Sequence, residues 1–253
     1  MRKRKLIVHS TEAVPIGTSN ADACRTIGIG VCHLWFATLD ELRPNAARFE
    51  QLLDDAELQR ADRFRFAYDR ERFVLGHGWL RTVLSRYVTT EAAAIRYERG
   101  PHGKPFLSDN SVRFNFSDTK DAILIGITSD MELGTDIETL ARDVDHEAVS
   151  QHYFTPSEIA GIRSSHAPKL RFLELWTRKE AVLKASGVGI MDDLRVLRVD
   201  APMNEMTIGH GEFVRMAAPT YHVRSLLLSD LHTASIATAG RLESVDLFRP
   251  DAG

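Results

Sequence analysis

Gly134-Thr135-Asp136-Ile137-Glu138 sets two acidic residues two positions apart, and Trp176-Thr177-Arg178-Lys179-Glu180-Ala181 adds a third carboxylate, followed by Lys184. On a strand, alternate residues share a face, so Asp136 and Glu138 would stand roughly 7 Å apart on one side. Like charges so placed need a cation, a proton or water. From Pro168 to Ser186 the pattern is helical, with Leu173 and Trp176 on a stripe that runs into Glu180 and Lys184. A strand-borne acidic pair joined by a helix-borne glutamate suits Mg2+, which takes carboxylates, waters and substrate phosphate oxygens. Lys184, one turn beyond Glu180, would meet such a phosphate as a point charge. Taken singly, the same residues also read as an ordinary helix ion pair worth about a few tenths of a kcal/mol, or as a solvated strand end.

The elements that must position these groups follow from periodicity. Val31 to Leu39 reads as a strand, Leu52 to Arg63 and Tyr68 to Val88 as helices, and Ala122 to Thr128 as a short apolar strand. Gly76 and Gly78 inside the second helix permit close approach of another backbone. Val112 to Ser117 alternates, which predicts Val112, Phe114 and Phe116 inward and Arg113, Asn115 and Ser117 outward. Thr155-Pro156-Ser157-Glu158 is a capping box that starts a helix, and Gly187 stands where a left-handed C-cap ends one. Further strands are expected around Leu194 to Val199, Phe213 to Met216, His222 to Leu228 and Ala234 to Ala237. The fold class is α+β: two similar subdomains, 31–129 and 130–245, with the site between them. Residues 1–30 read as a flexible leader and 246–253 as a tail.

Composition narrows the function. The 253 residues are 43% hydrophobic and 26% charged, as in an ordinary globular protein. No apolar run reaches the roughly 20 residues that span a bilayer, and Leu6-Ile7-Val8 behind the basic start is too short for a signal sequence. A cytoplasmic protein without membrane or nucleic-acid partners is expected, since the net charge is −3. Cys24 and Cys32 make no metal pattern and read as buried or free thiols. The histidines show no zinc spacing. Charge is nevertheless uneven: Arg60, Arg63, Arg65, Arg70, Arg72, Arg81 and Arg86 face only Asp62, Asp69 and Glu71 in one stretch. That stretch either meets something anionic or is a solvated helix face.

Gly103-Lys104-Pro105, Phe114-Asn115-Phe116-Ser117, the G-T-D-I-E run and W-T-R-K-E-A-V-L-K, in this order and spacing, resemble the 4'-phosphopantetheinyl transferases, in particular the larger surfactin-synthetase-activating type. The resemblance spans about Val31 to Val245. It implies a monomer of two subdomains related by a pseudo-twofold axis, with coenzyme A at their interface. The implied reaction transfers phosphopantetheine from coenzyme A to a serine of an acidic apo acyl or peptidyl carrier protein, releasing adenosine 3',5'-bisphosphate. Asp136, Glu138 and Glu180 are similar to the family's Mg2+ ligands, and Glu180 and Lys184 to its catalytic pair. Arg60, Arg72, Lys104, Pro105, Ser117, Asp118, Asp136 and Lys184 are implied to contact coenzyme A. The general base is Glu180 or a metal-bound water. One departure stands out: where the family commonly has histidine after F-N-x-S, this chain has Asp118, an acceptor that would repel phosphate, so that either Lys120, Thr119 and backbone N–H groups take over or Asp118 turns away to organise a basic neighbour such as Arg72.

Two rival readings remain: a non-catalytic carrier- or coenzyme A-binding protein with a decayed site, and another Mg2+-dependent phosphoryl transferase. A binding module has no need of the three carboxylates. No G-x-x-x-x-G-K-[ST] loop supports a P-loop enzyme, and a glycosidase would not need Lys184.

Overall fold

A computed structural model describes residues 3–19, 26–189, 191 and 193–250. The first half comprises β1 (Arg4–Ser10), β2 (Val14–Pro15), β3 (Val31–Thr38), α1 (Leu39–Leu42), α2 (Ala46–Leu52), α3 (Asp55–Ala61), α4 (Ala67–Leu84), β4 (Tyr97–Arg99), β5 (Pro105–Leu107), β6 (Arg113–Asp118) and β7 (Ala122–Thr128). The second comprises β8 (Leu133–Thr139), α5 (His146–Tyr153), α6 (Pro156–Arg163), α7 (Pro168–Ser186), β9 (Met203–Ile208), α8 (Gly211–Met216), β10 (Thr220–Leu227), β11 (His232–Thr238) and β12 (Ser244–Phe248).

One topology occurs twice. In the first half the strand order is β3-β7-β6, with α4 between β3 and β6 in sequence; in the second it is β8-β11-β10, with α7 between β8 and β10. All of these pairings are antiparallel. Period-two burial divides each strand between two cores. Trp35, Ile123, Ile125 and Ile127 pack with α4 residues Leu75, Trp79 and Leu80. Leu34, Phe36 and Leu124 turn the other way and meet Leu133, Ile137, Ala234 and Ile236 of the second sheet. The α+β architecture of two similar subdomains is therefore present.

The chain ends depart from expectation. Arg4–Ser10 is no flexible leader but a strand inside the second sheet, parallel to β10 and antiparallel to β9, with Leu6 and Val8 buried. Of the expected tail, residues 246–248 belong to Ser244–Phe248, which pairs in parallel with β3 of the first sheet. Each terminal strand thus completes the sheet of the opposite half, and its partners lie too far away in sequence to leave a local signal.

Smaller corrections have local causes. Leu194–Val196 is a 3-10 turn rather than a strand, with Asp193 accepting from the Arg195 amide. Gly211–Met216 is a helix capped by His210, although the short apolar run Phe213-Val214 suggests a strand. Residues 52–63 form two helices because Asp54 opens a new capping box with Glu57. Cys32 is buried and free, and Cys24 lies outside the described residues. Among the described residues no helix is long and apolar enough to cross a membrane.

Two glycines set the spacing around the site. A Cβ on Gly134 would lie 2.1 Å from the Ala181 carbonyl oxygen and 2.3 Å from the Ala185 nitrogen, so only glycine lets α7 lie on β8 this closely. A Cβ on Gly78 would come within 2.6 Å of the Phe49 Cα, fixing α4 against α2 as the sequence implied.

Candidate active site

β8 and β6 are edge strands of different sheets, and they meet. Asn115 joins them: its Oδ1 accepts the Thr135 amide at 2.8 Å, satisfying an edge N–H that would otherwise be unpaired. Asn115 and Ser117 are accordingly buried at the junction of the two halves, not outward to solvent as alternation suggested. On β8, Gly134, Asp136 and Glu138 share the face that carries α7, so the glycine that seats the helix also brings Glu180 and Lys184 over the two carboxylates.

The polar contacts are specific. Lys184 Nζ donates to Asp136 Oδ1 at 2.6 Å and to Ser117 Oγ at 3.0 Å, while the Ser117 hydroxyl donates to Asp136 Oδ1 at 3.1 Å. Thr119 Oγ1 donates to Glu138 Oε2 at 3.2 Å, and Arg142 pairs with Glu138 Oε1. Both strand carboxylates are only 7% exposed, which matters because burial opposes their charge. Burial raises the proton affinity of Asp136, with Lys184 and Ser117 working the other way. Glu138 is raised likewise, by burial and by Asp136, against Arg142. Glu180 is pushed to about 7, first by burial and then by the charge of Asp136, with Glu138 adding to it and Lys184 opposing.

As the side chains lie, no three carboxylate, imidazole or thiolate groups among the described residues stand close enough to hold one ion. Asp136 is turned onto Lys184, and Glu138 onto Arg142. The donor set nonetheless fits a hard divalent cation: it is all oxygen, largely buried, and destabilised by its own like charges, as the elevation of Glu180 records.

Two adjoining cavities lead to this cluster. One, about 300 Å³, is lined by Glu180 and Lys184 together with His102, Lys104 and Phe116. The other, about 340 Å³, is lined by Arg60, Arg72, Arg99, His77 and Asp118. Pro105 and Phe116 wall both. Lys104 donates its ammonium to Glu132 at 2.8 Å and to the Leu133 carbonyl at 2.9 Å. Asp118 forms an ion pair with Arg72 Nε at 2.9 Å, so it does turn aside onto the arginine. The arginine-rich stretch is partly structural. Arg81 is fully buried against Glu57 and Asp54, and Arg70 pairs with Glu50 and Asp62, whereas Arg60, Arg63 and Arg65 are exposed. Sequence reading missed Arg142, which pairs with Glu138 of β8, Arg99, which donates to the Gly103 carbonyl, and His77, which meets Glu57 of α3.

A model described as the 4'-phosphopantetheinyl transferase superfamily matches residues 132–229, and one described as 4'-phosphopantetheinyl transferase, N-terminal, matches residues 40–129. The chain is 30% identical over 217 residues to the 4'-phosphopantetheinyl transferase HetI of Nostoc sp., covering 82% of this chain and 87% of that protein. The chain belongs to the 4'-phosphopantetheinyl transferase superfamily. It is also 31% identical to the putative 4'-phosphopantetheinyl transferase slr0495 of Synechocystis sp., over 64% of this chain and 67% of that one. To the 4'-phosphopantetheinyl transferase Sfp of Bacillus subtilis it is 25% identical, over 56% of this chain and 64% of that one. Asp136, Glu138, Glu180 and Lys184 fall in the match to residues 132–229, and Arg60, Arg72, Lys104, Pro105, Ser117 and Asp118 in the match to residues 40–129.

Proposed function

We propose that this enzyme transfers 4'-phosphopantetheine from coenzyme A to a serine of an acyl or peptidyl carrier protein. One observation carries the reading: Glu180, Lys184, Asp136 and Glu138 converge where the two halves meet, beside cavities large enough for the two ends of an extended nucleotide thiol. The nucleotide end occupies the arginine-lined cavity and the pantetheine arm the other, which brings the pyrophosphate to Lys184. Asp136, Glu138 and Glu180 would hold Mg2+, which would neutralise charge on the pyrophosphate and on the oxygen that leaves.

The chain's own groups do the rest. Glu180 accepts the serine proton through the carboxylate oxygen that the cation leaves free. The serine oxygen forms a bond to the β-phosphorus as the bond to the bridging oxygen breaks. Lys184 meets the departing phosphate of adenosine 3',5'-bisphosphate. Arg60 and Arg72 face the nucleotide, with Asp118 setting the pose of Arg72; Ser117 holds Lys184 and Asp136 in register. Both halves of the site come from one polypeptide, so the enzyme works as a monomer, in the cytoplasm where coenzyme A and apo carriers occur together. Incubation with coenzyme A, Mg2+ and an apo carrier should add the phosphopantetheine mass to the carrier by mass spectrometry. A carrier that is bound but keeps its mass would favour a non-catalytic binder.

A further inference from the structure

The arginine-lined cavity contains one imidazole, and its setting is built rather than incidental. His77, on α4, places Nδ1 3.1 Å from Glu57 Oε1. The other oxygen of Glu57 accepts from Arg81 Nε at 2.8 Å and Nη2 at 2.7 Å. Arg81 is 0% exposed and also donates to Asp54 Oδ2 at 2.9 Å and to the Ile95 carbonyl at 2.9 Å. Burial works against the charge of Glu57, but His77 and Arg81 outweigh it and hold the carboxyl below its usual range. Asp54 and Glu57 bring two negative charges to this cluster and Arg81 one positive charge, so the imidazole sits beside a net negative network.

The ring itself is fixed. It stacks on Phe73 with centroids 4.0 Å apart and tilts against Phe116 at 5.5 Å. Among the described residues Nε2 has no partner, and the side chain lines the cavity. The other charged groups around that cavity are Arg60, Arg99, and Arg72 with its partners Asp69 and Asp118. The pyrophosphate must reach Lys184 in the neighbouring cavity, so what remains here is the far end of the nucleotide, which in coenzyme A carries a dianionic phosphate monoester.

We propose that His77, oriented by Glu57, donates Nε2–H to the 3'-phosphate monoester of the ligand and so makes the enzyme selective for coenzyme A over dephospho-coenzyme A. The inference rests on the placement of coenzyme A given above. A charge-assisted hydrogen bond of this kind corresponds to roughly a tenfold or larger change in affinity. His77→Gln should therefore weaken coenzyme A binding by that factor in calorimetry and raise its KM. Dephospho-coenzyme A affinity should fall far less, so the preference between the two ligands narrows. On the wild-type protein, the His77 imidazole resonance, assigned by its loss in the variant, should move with coenzyme A and stay in place with dephospho-coenzyme A. Equal loss for both ligands, or no loss for either, overturns the assignment while leaving the cavity's role intact. Failure of the wild type to bind coenzyme A overturns both.

Discussion

Glu180 is the residue on which chemistry and stability conflict. Its folded-state pKa, about 7, lies above the ordinary 4.5, so the folded state holds the proton more tightly than the unfolded chain does. Its contribution is fully present at low pH and is lost as pH rises from the usual carboxylate range through about 7. At about 1.4 kcal/mol per unit, the loss amounts to at most about 3 kcal/mol at pH 8. Glu180→Gln removes the charge but keeps the shape. In thermal melts without metal the variant should therefore be more stable than wild type at pH 8 and nearly equal at pH 5, while transfer is abolished. A variant less stable at pH 8 would show that Glu180 is paired rather than strained. These residues were legible in sequence because D-x-E and the glutamate–lysine spacing act through local periodicity. His77 was not, since it acquires meaning only from Glu57, a partner on another helix supplied by the fold.

At the scale of elements, the contact of α7 with β8 decides the site. Alanine at 134 would drive a methyl into the helix backbone at Ala181 and Ala185, which cannot yield as a side chain could. Gly134→Ala should cost about 3 kcal/mol or more in urea unfolding, at the upper end of overpacking effects, and should lose transfer as Glu180 and Lys184 are displaced. Gly161→Ala, where a Cβ meets nothing within 4 Å, is the control; it should gain up to about 1 kcal/mol as an ordinary helix substitution. Equal behaviour of the two variants would contradict the close approach. The long helices, the capping box and the carboxylate strand follow from pattern and caps. The helix at Gly211–Met216 does not, because in so short an apolar run periodicity cannot separate helix from strand and the His210 cap decides.

For the whole molecule, the crossed termini are the main departure from a sequential reading. β1 lies between β10 and β9, so removing residues 1–10 strips a central strand and exposes two edges. The truncated protein should lose cooperative thermal unfolding and soluble yield; an unchanged melt would restore the view of this segment as a leader. The same crossing explains how two similar halves stay in one register across a site that needs both, with Ser117 from one half and Asp136 and Lys184 from the other within hydrogen-bond reach. The proposed function requires the acidic side chains of β8 and α7 at that junction to hold one divalent ion. Titration of Mn2+ into the protein with coenzyme A, read by the electron paramagnetic resonance of free Mn2+, should give a single tight site in the wild type that is lost in Asp136→Asn and in Glu180→Gln. Undiminished binding by both variants would contradict the claim.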